Sequence, residues 1–111
     1  MTGGIISYQG RNYALNHAFG SAAISADREM VAASTGFKHR LIGFVGNGQT
    51  SATFKSAATA ISQALAATSQ LTSFPINQHG YLETNSGEAL NVVAVGGTLL
   101  WDIWYITIPS A

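Results

Sequence analysis

Glu83 and Glu88 bracket Gly87 in a polar loop, Glu83-Thr84-Asn85-Ser86-Gly87-Glu88. Two carboxylates held across a cleft are what a glycosidase needs, one as acid and the other as base or nucleophile. The same pair can instead cap backbone amides of the loop. Capping is the preferred reading, because no general-acid partner and no sugar-stacking platform is identifiable nearby. His17, His39 and His79 lie far apart with no carboxylate at ligand spacing, whereas a zinc site needs three or four convergent donors. No metal site is therefore expected. Gly43-Phe44-Val45-Gly46-Asn47-Gly48 is rich in glycine but lacks the Lys-Ser or Lys-Thr of a phosphate loop. The many Ser and Thr residues have no paired base that would activate a hydroxyl. The chain is expected to be non-enzymatic and to need no cofactor.

Charge separates the remaining classes of function. Of the 111 residues only 9% are charged, five basic and five acidic, while 47% are hydrophobic. An ordinary soluble domain is about one-quarter charged. With no net field to gather phosphates, nucleic-acid binding is not expected. Lys38-His39-Arg40 is the one basic cluster and reads as a solvated strand end. So few charges suggest a surface partly covered by other subunits, with Ser, Thr, Asn, Gln and Gly wetting the rest. Without cysteine there are neither disulfides nor thiolate sites, and packing must supply the stability.

The first residues show no basic leader followed by an apolar stretch, so no secretory signal is expected. Leu90 to Pro109 is long and apolar but is interrupted by Asn91, Gly96-Gly97 and Asp102. A charge at the centre of a span costs about 2.5 to 3.5 kcal/mol on insertion scales, and two strands joined by a Gly-Gly turn explain the segment better. No membrane partner is expected.

The elements that must position these residues read as strands. One domain suffices for this length. Residues 1–22 are expected as an N-terminal arm, because Gly3, Gly4, Gly10 and Gly20 break up Ile5, Ile6, Tyr8, Tyr13, Leu15 and Phe19 without sustaining either period. Such apolar residues are unusual in a free tail, so the arm should pack on its own body or on a neighbour. Residues 23–111 are expected as a single antiparallel β-sandwich. Short strands should flank a polar Asp27-Arg28-Glu29 insertion. His39 to Val45 is too apolar for a one-sided strand and should be central, followed by a hairpin turn at Gly46-Asn47-Gly48. Ser51 to Ser56 alternates with Phe54 inward and Lys55 outward. Ala57 to Ala67 is either helical, with Ile61 and Leu65 four apart, or two β segments, and the β reading is preferred.

Thr98 to Ile108 puts Leu99, Trp101, Ile103 and Tyr105 on one face and Leu100, Asp102, Trp104 and Ile106 on the other. Both faces are largely apolar. One should fill the core and the other should suit a subunit interface, where Trp and Tyr concentrate. The aromatic residues could also form a carbohydrate-stacking surface, but packing is the preferred reading. Candidate partner or subunit contacts are Tyr8, Arg11, Tyr13, Phe19 and Trp104.

Three segments carry a resemblance. Val31 to Phe44, Ala52 to Ser56 with Thr59 to Ser62, and Gly80 to Asn91 together resemble small phage structural proteins in the order of a "G-K-x-I-R-V" strand, a "T-F-K-S-G" strand and an "E-T-x-x-G-E-A-L-N" loop. The likeness lies in spacing and pattern over roughly the last four-fifths of the chain and departs at Lys38-His39-Arg40 and at Trp101 to Tyr105. It implies a jelly-roll-like β-sandwich found in virions as a decoration, spike or tail-associated domain, often trimeric. The expectation is a capsid decoration (cement) protein: a homo-oligomer, a trimer for preference, that binds the major capsid protein at the capsid surface. The alternative is a tail-associated or receptor-binding domain that recognises host glycan through aromatic side chains in loops at one end of the sandwich.

Overall fold

The computed structural model describes residues 4–23, 26–48, 51–66 and 71–110. Among the described residues there are strands and no helix, in the order β1 (Ile5–Tyr8), β2 (Arg11–Ala14), β3 (Asn16–Ala22), β4 (Asp27–Val31), β5 (Phe37–Asn47), β6 (Ser51–Ser56), β7 (Thr59–Ala60), β8 (Leu65–Ala66), β9 (Leu71–Phe74), β10 (Leu82–Glu83), β11 (Leu90–Val95) and β12 (Leu99–Pro109). One sheet runs β10-β5-β12-β3, with β9 also paired to β5. The facing sheet runs β4-β11-β6-β7, with β8 also paired to β6. The pairings are antiparallel, and the fold is an all-β sandwich.

Period-two alternation builds the space between the sheets. From the first sheet come Leu41 and Phe44 of β5 and Leu99, Trp101 and Ile103 of β12. From the second come Ala52 and Phe54 of β6 and Leu90, Val92 and Ala94 of β11. Phe44 and Phe54 meet edge to face across the two sheets, with centroids 5.0 Å apart. Burying a side chain of that size contributes about 1.5 to 3 kcal/mol. Gly46 is also buried, because a Cβ there would come within 2.7 Å of the Leu99 side chain. β5 therefore runs on through Gly46 to Asn47, and the turn expected at Gly46-Asn47-Gly48 begins later than its residue types suggest.

The register slips where Trp104 opposes Gly43 and Tyr105 opposes Leu41, so that Ile42 is the extra residue of a bulge in β5. Leu41 and Phe44 consequently both face the core, while Ile42 turns to the outer face. There it joins Ile106, Ile108, Ile6 and Leu15 in a second apolar cluster, with Tyr8, Tyr13 and Trp104 packed against it. The hairpin β1–β2 is the lid of this cluster. Its two-residue turn has Gln9 and Gly10 both at positive φ, 51° and 77°. That geometry matches the twist of a tight hairpin. Leu15 N–H donates to the Gly4 carbonyl at 2.8 Å and closes the base of the hairpin.

Two expectations change and one alternative is settled. Residues 1–22 are not one arm, because β3 pairs with β12 along its whole length as an edge strand of the sandwich and only the hairpin before it lies outside the two sheets. Asp27-Arg28-Glu29 is not an insertion between strands but the exposed first half of β4, where an edge position lets the charges reach water. Ala57 to Ala66 holds the short strands β7 and β8, which pair with β6, and Ile61 and Leu65 pack against the core. Ile24 and Ala67 fall outside the described residues.

Candidate contact surface

β3 inverts the expected arrangement of large and small residues. Its inward positions are Ala18, Gly20 and Ala22, opposite Ile103, Trp101 and Leu99. A Cβ on Gly20 would sit 2.9 Å from the Trp101 ring, so the large indole leaves room there for nothing more. The outward positions hold His17, Phe19 and Ser21, and Phe19 is 74% exposed.

Cross-strand pairing sets the neighbours of Phe19. Asp102 lies opposite it on β12, and Val45 of β5 lies opposite Asp102; Leu100 follows on the same face. Leu100 is 56% exposed, and Ile76, 53% exposed, lies over Gly43 on that face. The result is an apolar surface of Phe19, Leu100, Val45 and Ile76 on the same side of the sheet as the hairpin lid and beyond its cover. Isolated exposed apolar residues need no explanation, but four on one face, grouped around Asp102 in a chain this poor in charge, single that face out as the candidate contact surface.

An aromatic ladder borders this surface. His17 stacks between Trp104, with centroids 5.0 Å apart, and Phe19, at 5.9 Å, both at 27° between planes. Its Nε2 donates to Asp102 Oδ1 at 2.9 Å. Asp102 is thus engaged from within the face.

The sequence-derived contacts divide in two. Tyr8, Tyr13 and Trp104 are half-buried and pack on the second cluster in their own chain, and Tyr8 also receives the Arg40 guanidinium over its ring at 4.6 Å. Phe19 is open. Arg11 is exposed at the hairpin tip, where it lines a shallow cleft of about 230 Å³ with Gln9, Tyr13 and Pro109. That volume lies below the roughly 300 to 1,000 Å³ of small-ligand pockets. Sequence reasoning missed Leu100, Val45 and Ile76. Leu100 carried a signal in its face assignment, while Val45 and Ile76 are brought there by a central strand and a loop.

The two carboxylates are drawn apart into separate networks. Glu83 meets Arg40 Nη1 at 3.1 Å and Lys38 Nζ at 3.4 Å. Glu88 accepts from the Ser56 hydroxyl at 2.6 Å and from the Asn85 side-chain amide at 3.3 Å, while it is the Ser56 hydroxyl that accepts the Asn85 N–H at 2.8 Å. Among the described hydrogen bonds the glutamates therefore do not cap backbone amides as expected; each carboxylate is committed to side-chain partners. His39 is buried, with Nε2 donating to the Ala32 carbonyl at 2.8 Å and Nδ1 paired with the Thr107 hydroxyl at 2.9 Å. Burial also pushes the Tyr105 phenol, edge-on to His39, above its ordinary pKa. Among the described residues no three His, Asp or Glu side chains converge on a common point. Comparison with known proteins finds no matching family model, no matching curated sequence and no matching solved structure.

Proposed function

We propose that this chain is a non-enzymatic structural subunit of a virus particle, a homo-oligomeric capsid decoration protein that seats on the major capsid protein and stiffens the shell. The observation that carries the reading is the uncovered apolar half of the outer sheet face, Phe19, Leu100, Val45 and Ile76, in a protein with so little charge to keep such a surface wet. A sheet face suits a protein partner, because residues already held in a strand ladder, as Phe19, Leu100 and Val45 are, need little further ordering on burial.

The strand order supports the jelly-roll part of the reading. Strands from the two ends of the chain interleave, β3-β12-β5-β10 against β4-β11-β6-β7, as two Greek keys do. Jelly rolls recur in viral shells, and that link is one of fold alone. Phe19, the most exposed aromatic residue among the described ones, sits midway along the edge strand β3, whereas Tyr81 and Phe37, nearer the ends of the sandwich, are about half as exposed, which favours the capsid over the receptor-binding alternative.

Shells lacking the protein provide the test. The purified chain should co-sediment with them, and Leu100→Asp combined with Val45→Asp should abolish co-sedimentation while leaving the β-sheet circular dichroism intact. Equal attachment by the double variant would remove this face from the account, and no attachment by the unsubstituted protein would remove the function.

A further inference from the structure

Sheets end in edges, and an edge with free N–H and C=O groups recruits another strand unless something discourages it. Most edges of this sandwich carry a discouragement. β4 presents Asp27, Arg28 and Glu29 to solvent. β7, β8 and β10 are two residues long, and β9 runs directly into Pro75. β3 has none of these. It is seven residues long, Asn-His-Ala-Phe-Gly-Ser-Ala, with no Lys, Arg, Asp, Glu or Pro and no bulge in its pairing with β12. Among the described residues its other side has no strand and no backbone hydrogen-bond partner.

The occupant can be chosen by charge and symmetry. Two copies of one edge strand pair antiparallel about a two-fold axis, with the central residue opposite itself. For β4 the central residue is Glu29, and Glu29 against Glu29 sets like charges face to face, which is destabilising. For β3 it is Phe19, the most exposed large apolar residue among the described ones. That register sets Phe19 against Phe19, Ala18 against Gly20 and His17 against Ser21, with no like-charged pair anywhere. It also explains why the bulky residue of β3 points outward while the small ones point inward: the outward ring is matched to its own copy.

We propose that β3 is a self-docking edge, pairing antiparallel with β3 of a second copy of this chain about a two-fold axis through Phe19, so that the two β10-β5-β12-β3 sheets become one continuous sheet. This rests on the assembly reading above and specifies its symmetry, two-fold where the resemblance to phage structural proteins implies three-fold. The pairing would bring the Leu100 and Val45 surfaces of both copies onto one side of the joined sheet.

The absence of cysteine makes the register directly readable. Opposed residues in an antiparallel pair have Cα atoms about 4.5 to 5.5 Å apart, within the about 4.4 to 6.8 Å that a disulfide spans. Under mild oxidation Phe19→Cys should give a covalent dimer at least about tenfold faster than Leu100→Cys, on the same face, or Glu29→Cys, on the charged edge. Phe19→Lys, which sets two cations at the axis, should weaken the dimer seen by sedimentation velocity by about tenfold or more. The inference is overturned if Phe19→Cys cross-links no faster than the two controls, or if an oligomer forms that is unchanged by Phe19→Lys. Either result leaves the capsid reading standing where shell attachment persists, whereas a cross-linking dimer that never attaches to shells would keep the edge contact and overturn the capsid reading.

Discussion

Leu100 and Ile106 stand on the same outer face of β12, and one is 56% exposed while the other is fully buried. The difference is the hairpin β1–β2, which closes over Ile42, Ile106 and Ile108 and stops short of Leu100. A strand apolar on both faces thus has its outer face divided, one half covered by its own chain and the other left for a companion.

Removing residues 1–14 should uncover the buried half. Ile42, Ile106 and Ile108 would meet water, and each buried aliphatic side chain is worth about 1.5 to 3 kcal/mol. The truncated chain should melt at lower temperature and bind more of a hydrophobic dye than the intact chain does. An unchanged melting midpoint in calorimetry would show that the hairpin is not the lid described above.

Ser56 holds the glutamate corner by bonding both Glu88 and the Asn85 N–H. Ser56→Ala removes a buried hydroxyl and takes from the Asn85 N–H its acceptor and from Glu88 its shorter hydrogen bond, a loss of about 1 to 3 kcal/mol. Glu83→Gln, which weakens ion pairs in a partly exposed site, should cost under about 1 kcal/mol. Chemical denaturation of both variants checks the ranking, and the reverse order would contradict the network.

His39→Leu should rank with the more damaging single substitutions. It deprives the Ala32 carbonyl and the Thr107 hydroxyl of their part-buried hydrogen bonds to a buried ring, for about 1 to 3 kcal/mol. His79→Leu, at an exposed position, should change the midpoint little.

Tyr105 gives a pH dependence. Desolvation raises its folded pKa, so the folded state holds the phenol proton more tightly than the unfolded chain does. The stability linked to that proton is fully present below the unfolded value of about 10 and is lost as pH rises through the higher folded value. Tyr105→Phe should therefore lose less stability than the unsubstituted protein between neutral and strongly alkaline pH. Matching alkaline limbs in urea titrations would contradict this.

Local alternation made much of this fold legible. The face assignment of Leu99 to Ile106 and the inward Phe54 follow from periods of two, which are set by neighbours in sequence, whereas the β reading around Ile61 and Leu65, four apart, rests on the all-β context of the chain. What alternation cannot encode is which distant segment covers a face. Ile6 and Leu15 read as an irregular arm because they belong to a separate hairpin. Ile42 read as one more strand residue because a bulge moves it from one side of the sheet to the other. The partners of Glu83 and Glu88, Arg40 and Ser56, lie far away in sequence and are delivered by β10 pairing with β5 and by β6. Phe19 was named as a contact from its type alone; its exposure follows from Gly20 and Ala18 having to face Trp101 and Ile103, which no local pattern announces.

Electron microscopy of shells decorated with the purified protein tests the central claim most directly. The account predicts that the face carrying Leu100, Val45 and Phe19 is buried against the capsid protein or a second copy, with the β1–β2 hairpin folded on its own chain. A bound subunit with that face turned to solvent, or shells that carry no subunit at all, would contradict it.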